Sequence, residues 1–365
     1  MIFRPIVIGV TLALAGCGGS GNSSPPPTQS TSKTYNGAGS KWELTLNSDN
    51  TCTLTESDSN LFIDATCENL STGFLQITVT SATGNNAPAI GSVTYGFELS
   101  GYMLPFVSFS EDKLLPTIIS GNCPTGDLKH NFIVSYAKSN SATSDFDGWG
   151  TFGYWESNRT NNTLTVKVYD RNGNLTNTFT PTFDIGAACS NGSFFQADQD
   201  GGEDTTAYFS ESGGLIWHQE STTDQRIEND FMIPYDDGIS SVSQLDGNYI
   251  GYTISGNGQT NYTSTPVNVS VSNGVFTLKK VNLVTGVTAG STHSSFTLNA
   301  EISGTRGLLQ GLVTEYDETV ANNNEGIGCA IDLNAGNSGK DVIICGGMLP
   351  DGTKKNLYSA ILVSK

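Results

Sequence analysis

Short runs of alternating apolar and polar residues, broken by Asn- and Gly-rich turns, constrain this chain more than any other feature. Val267-Asn268-Val269-Ser270-Val271 turns at Asn273-Gly274 and returns as Val275-Phe276-Thr277-Leu278. Glu43-Leu44-Thr45-Leu46 turns through Asn47-Ser48-Asp49-Asn50 and returns as Thr51-Cys52-Thr53-Leu54-Thr55. Thr163 to Tyr169 alternates and turns at Asp170-Arg171-Asn172-Gly173. Period two places one face on a core and the other in solvent, and Asn-Gly supplies the left-handed backbone that a tight hairpin needs. No long helical periodicity competes with this pattern. The expected fold is all-β, built as tandem antiparallel meander barrels or sandwiches.

Composition agrees. Charged residues make up only 14% of the 365, glycine alone contributes 42, and Ser, Thr and Asn fill the polar face. Such a chain favours strands and hairpins over helices. The 35 acidic residues outnumber 17 basic ones, for a formal charge of −18. That balance argues against nucleic acid and against direct contact with anionic lipid headgroups.

Two segments echo each other. Asp147-Gly148-Trp149-Gly150-Thr151-Phe152-Gly153-Tyr154 is similar to Asp246-Gly247-Asn248-Tyr249-Ile250-Gly251-Tyr252. Modules of about a hundred residues follow from that spacing, and we expect three: 35–138, 139–240 and 241–365. The Asp-Gly-x-aromatic openings, with Trp42 after Gly39, resemble lipocalin-like barrels over three or four residues. Six cysteines lie in the modules: Cys52, Cys67, Cys123, Cys189, Cys329 and Cys345. An even number in an exported chain predicts disulfides. Sequential pairing is expected, because Cys52/Cys67 and Cys329/Cys345 each fall on successive candidate strands. Cys123–Cys189 then follows by elimination.

Export is read from the N-terminus. Arg4 precedes an apolar run from Ile6 to Leu14, and Leu14-Ala15-Gly16-Cys17 closes it. The run is too short to span a bilayer as a helix, which takes about twenty residues. Leu-Ala-Gly-Cys resembles the lipobox of bacterial lipoprotein signal peptides. The resemblance implies removal of residues 1–16 and acylation of Cys17. Gly18 rather than Asp follows the cysteine, which implies the outer membrane. Residues 17–34, with Pro25-Pro26-Pro27 among Gly and Ser, read as a flexible tether.

Chemistry is weakly marked. The chain has no G-x-S-x-G elbow and no H-E-x-x-H, and its three histidines, His130, His218 and His293, are far apart in sequence. Ser110-Glu111-Asp112-Lys113 and Asn334 to Asp341 imitate catalytic and phosphate-loop motifs without their companions. Asp198, Asp200, Glu203 and Asp204 form the densest acidic cluster. Calcium takes several hard oxygens at close range, so these four are the candidate metal ligands, against the plainer reading of a solvated turn. No other cofactor is called for. Trp149 and Trp155 share strand parity and are the candidate ligand platform, since aromatic planes stack on sugar rings. The competing reading is core packing, the commoner fate of large aromatics.

The function expected is that of a lipid-anchored envelope protein with a non-catalytic binding or structural role, its partners the membrane through the lipid and a glycan or envelope protein. Two alternatives stand beside it. One is a carbohydrate-active hydrolase using paired carboxylates. The other is a carrier or inhibitor holding a ligand in a barrel mouth.

Overall fold

The computed structural model describes residues 32–37, 41–100, 103–109, 114–119, 121–138, 152–170, 172–180, 189–196, 203–210, 213–221, 226–235, 238–256, 262–316, 319–351 and 354–365. The signal and nearly all of the tether lie outside them. The described chain is almost entirely antiparallel β, in three hydrogen-bonded units.

The first unit holds β1 (Lys33–Gly37), β2 (Trp42–Leu46), β3 (Thr51–Glu56), β4 (Leu61–Asn69), β5 (Leu75–Thr83), β6 (Val93–Gly96), β7 (Phe106–Val107), β8 (Leu114–Leu115) and β9 (Thr117–Ile119). They form a meander in the order β8-β7-β6-β5-β4-β3-β2-β1-β9. The sheet curls until its ends meet. Leu104 N–H donates to Thr117 O at 2.8 Å and Thr117 Oγ1 donates back to Leu104 O at 2.5 Å. Tyr35, Leu44, Leu54, Ile63 and Ile77 fill the interior.

The second unit holds β10 (Lys129–Lys138), β11 (Phe152–Asn158), β12 (Thr163–Tyr169), β13 (Leu175–Phe179), β14 (Cys189–Ser190), β15 (Ser193–Gln196), β16 (Glu203–Phe209), β17 (Leu215–Ser221) and β18 (Arg226–Pro234). Its order, β13-β12-β11-β10-β18-β17-β16-β15-β14, leaves an open sheet. One edge, β13, is exposed along its whole length. A register shift opposite Val168/Tyr169 leaves Thr176 unpaired in that edge, a bulge of the kind that discourages a further strand from adding.

The third unit is a closed eight-stranded barrel: β19 (Gly247–Gly256), β20 (Tyr262–Ser272), β21 (Val275–Lys280), β22 (Ser294–Glu301), β23 (Leu308–Tyr316), β24 (Thr319–Asp332), β25 (Val342–Asp351) and β26 (Lys354–Ser364). Pairing of β26 with β19 closes it and leaves no edge. The interior is packed with side chains, including Phe276 stacked on Phe296 at 4.6 Å.

The units begin at Lys33, Lys129 and Gly247. β10 pairs with β11 and β18 of the second sheet, whereas the sequence pattern placed 129–138 at the end of the first module. The echoing segments also take unlike places: Phe152–Tyr154 lie on an interior strand of an open sheet, and Tyr249–Tyr252 on the strand that closes a barrel.

The hairpin turns match their sequence. Asn273 and Gly274 have φ of 50° and 76°, as a type I′ turn requires at both central positions. All three sequential disulfides are present, with Cα–Cα distances of 5.8 Å for Cys52–Cys67, 5.8 Å for Cys123–Cys189 and 4.0 Å for Cys329–Cys345.

The units share a core. Phe74 and Phe97 of the first meet Tyr252 of the barrel at ring distances of 5.4 and 5.6 Å. Tyr252 is buried on the outer face of β19, while Tyr249 points into the barrel. Both faces of β19 are therefore covered, which explains the nearly continuous apolar run from Tyr249 to Ile254. Phe152 of the second sheet lies over Gly328 of β24, where a Cβ would sit 2.1 Å from the ring. Asn131 Nδ2 donates to Arg306 O at 2.7 Å, and Tyr235 O–H donates to Gly304 O at 3.0 Å, across the same seam.

Candidate functional site

A cleft of about 370 Å³ lies where one end of the first unit faces the second sheet. Its walls are Asn36 of β1, Trp42 and Glu43 of β2, Thr55 and Glu56 of β3, Ser57, Asn60 and Leu61 at the next turn, Lys41, and Tyr208 of β16. The register sets this arrangement. Trp42 stands opposite Glu56, and Glu43 stands opposite both Thr55 and Asn36. Trp42 and Glu56 leave one face of the sheet, and Glu43 and Thr55 the other, because side chains alternate along a strand. The end of the sheet thus offers groups from both faces.

Local features fix the walls. The Trp42 ring meets Phe106 edge-on at 6.1 Å, so one side of the indole is core and the ring is only half-buried. Gly37 lets it close down, since a Cβ there would sit 2.6 Å from Trp42 Cβ. Asn60 holds φ at 50° in the turn after Ser59, whose hydroxyl donates to Glu56.

One ion-pair network joins the two units beside the cleft. Lys41 Nζ lies 3.1 Å from Asp58 Oδ2 and 3.1 Å from Glu220 Oε2 on β17. Burial works against the ammonium, but the hydrogen bonds it donates to Glu220 and Asp58 hold its pKa above the ordinary lysine value. Glu220 Oε2 is also 3.7 Å from His218 Nε2. The other ring nitrogen, Nδ1, lies 2.7 Å from Asn229 Oδ1. With that oxygen accepting, the neutral ring carries its proton on Nδ1.

Burial pushes the His218 imidazole below its ordinary pKa of 6.5, while Asn229 and Glu220 pull the other way. A histidine whose folded pKa is depressed supports folding above its unfolded pKa. That support is lost as pH falls through 6.5 toward the folded value, because the unfolded chain then binds more protons. We expect thermal stability to decline from about pH 7 to about pH 5, and His218→Gln to make the decline shallower. Melting curves across that range check this; equal slopes for both proteins would contradict it.

The residues nominated from sequence fall elsewhere. Trp155 is 2% exposed, stacks on His130 at 5.0 Å and donates its indole N–H to Met232 Sδ at 2.6 Å. It is core and presents no plane to a ligand. Its parity partner, Trp149, lies outside the described residues, as do Asp198, Asp200 and Cys17. Glu203 opens β16, and Asp204 follows it on the same strand, opposite Glu220. Among the described residues no three His, Cys, Asp or Glu side chains are grouped to hold a metal; two of the four acidic candidates, Asp198 and Asp200, lie outside them.

All three histidines are buried in packing, His130 and His218 in the second unit and His293 in the third. His130 Nε2 is 2.7 Å from Gly213 O, His218 bonds Asn229, and His293 Nε2 is 3.1 Å from Thr253 Oγ1. The phosphate-loop imitation at 334–341 is closed by its own side chains. Asn334 Oδ1 accepts from Gly339 N–H at 2.6 Å, and Asp341 Oδ1 accepts from Asn334 N–H at 3.0 Å. Ser110 to Lys113 lies outside the described residues.

No family model matches the chain, and no curated protein does. Among solved structures it is similar to isotype 1 transferrin binding protein B from serogroup B Neisseria meningitidis, at 12% identity and a TM-score of 0.30, over 89% of this chain and 65% of that one. The present chain thus spans under two thirds of that protein. It is also similar to a double mutant of the vaccine antigen transferrin binding protein B from Haemophilus parasuis Hp5, at 10% identity and a TM-score of 0.32, over 92% of this chain and 77% of that one. At these scores the likeness adds nothing to the fold described above.

Proposed function

We propose that this chain is a lipid-anchored, non-catalytic binding protein of the bacterial outer membrane, with its ligand seat in the cleft between the first two units. The observation that carries the reading is the cleft itself. Its volume falls in the range of small-molecule sites, about 300–1,000 Å³, and polar side chains share its lining with one half-buried indole. The anchor rests on Leu14-Ala15-Gly16-Cys17 and the tether behind it. Several acyl chains on one cysteine hold a protein firmly, at about 0.8 kcal/mol per buried methylene.

The hydrolase reading draws on Glu43 and Glu56, which both line the cleft. A glycosidase needs its carboxyls to flank one bond, about 5–9.5 Å apart depending on mechanism. Glu43 and Glu56 leave opposite faces of the sheet by register, and Glu56→Gln, which would abolish cleavage by a hydrolase, separates the two readings.

The anchor is tested by Cys17→Ser. The substituted protein is expected to leave the membrane fraction, and mass spectrometry of the native protein to find an acylated Cys17 as the first residue. An unmodified Cys17 in the membrane fraction would remove the anchor.

A further inference from the structure

We propose that the cleft binds a short, uncharged saccharide, with the Trp42 indole as stacking plane and Glu43 and Asn60 as acceptors and donors for its hydroxyls. The proposal rests on the reading of this chain as a binding protein and names the ligand class. Three features point to it. The first is amphipathic lining: an indole and Leu61 beside amides, hydroxyls and carboxylates. A pyranose has the matching character, with an apolar C–H face that stacks on an aromatic ring and a rim of hydroxyls that both donate and accept.

The second is charge. Lys41 supplies the one ammonium among the described lining residues, and it is already held by Asp58 and Glu220 at 3.1 Å each. The charges left to face a ligand are the carboxylates of Glu43 and Glu56. An anionic ligand would meet repulsion there, in a molecule already carrying −18. A hydroxyl donating to a carboxylate makes a charge-assisted hydrogen bond and brings no charge of its own into the cleft.

The third is preorganisation. The Phe106 contact and Gly37 fix the indole, Ser59 fixes Glu56, and the Lys41–Glu220 bridge ties the second sheet to this end of the first unit. Little is left to order when a rigid ring enters, which favours binding of a weakly interacting neutral ligand.

The test titrates the mature, membrane-extracted protein with neutral gluco-, galacto- and manno-oligosaccharides. A sialylated trisaccharide is the anionic probe and spermidine the cationic one. We expect saturable binding of a neutral oligosaccharide, weakened about tenfold by Glu43→Ala through loss of a charged acceptor. Glu43 is exposed on its strand, so the melting temperature should not move. Trp42→Ala should abolish binding, and Trp42→Phe, which keeps a ring against Phe106, should retain part of it. Failure of every neutral probe overturns the proposal, as does undiminished binding in Glu43→Ala and Trp42→Phe together. Tighter binding of spermidine or of the sialylated probe, lost in Glu43→Ala, overturns the ligand class while leaving the cleft as the binding seat.

Discussion

Replacing Trp155 by alanine is expected to cost about 3–5 kcal/mol of folding stability, the range for truncating a large buried aromatic. The side chain is 2% exposed in the core of the second sheet. His130 stacks against it at 5.0 Å, Trp217 packs on it at 6.2 Å, and its N–H is satisfied by Met232 Sδ. Alanine would leave a cavity lined by these groups, which β-sheet partners cannot close without breaking register. Chemical denaturation followed by circular dichroism reads the loss. Trp155→Phe should recover much of it, because a ring still fills the gap. An unchanged melting temperature, with any glycan binding lost, would restore Trp155 as a ligand platform.

Removing the Cys123–Cys189 bridge as a double alanine variant is expected to destabilise the protein by about 4 kcal/mol in the chain-entropy model. It spans 66 residues, against 15 and 16 for the other two, each worth about 3 kcal/mol on the same basis. The setting adds to the effect. Cys189 lies on β14, a two-residue edge strand with one hydrogen-bonded neighbour. The segment across the bridge is seated close by: Gly121 N–H donates to Phe209 O at 2.7 Å, and a Cβ on Gly192 would meet Gly121 O at 2.1 Å. Without the bridge this end of the sheet should fray first, seen as faster amide exchange at 189–196. Equal losses for all three double variants would contradict the loop-length argument.

Much of this fold is legible in the residues because its information is local. Asn273-Gly274 dictates a hairpin by backbone conformation alone, and Cys329 and Cys345 meet because they face each other across one. The limits of the second unit were harder to read. β10 pairs with β18, nearly a hundred residues away, and nothing local in Lys129–Lys138 announces which sheet it joins. The joining of the three units had one sequence signal. Tyr249 to Ile254, Val342 to Ile344 and Tyr358 to Val363 break the alternation with nearly continuous apolar runs, as strands buried on both faces do. The cleft had none. Lys41 and Glu220 are 179 residues apart, and an ordinary lysine in a loop and an ordinary glutamate on a strand become a bridge only when the units dock. Trp155, which with Trp149 reads from sequence as a ligand platform, is core, because composition cannot distinguish a stacked core from a stacked ligand.

The cleft is expected to bind a saccharide and leave it intact. The direct measurement incubates the mature protein with the oligosaccharide it binds most tightly, at saturating concentration, and analyses the recovered sugar by mass spectrometry. Saturable binding that requires Glu43, with the full-length oligosaccharide recovered, is the predicted result. Shortened products that disappear with Glu56→Gln would contradict it and make the chain a hydrolase.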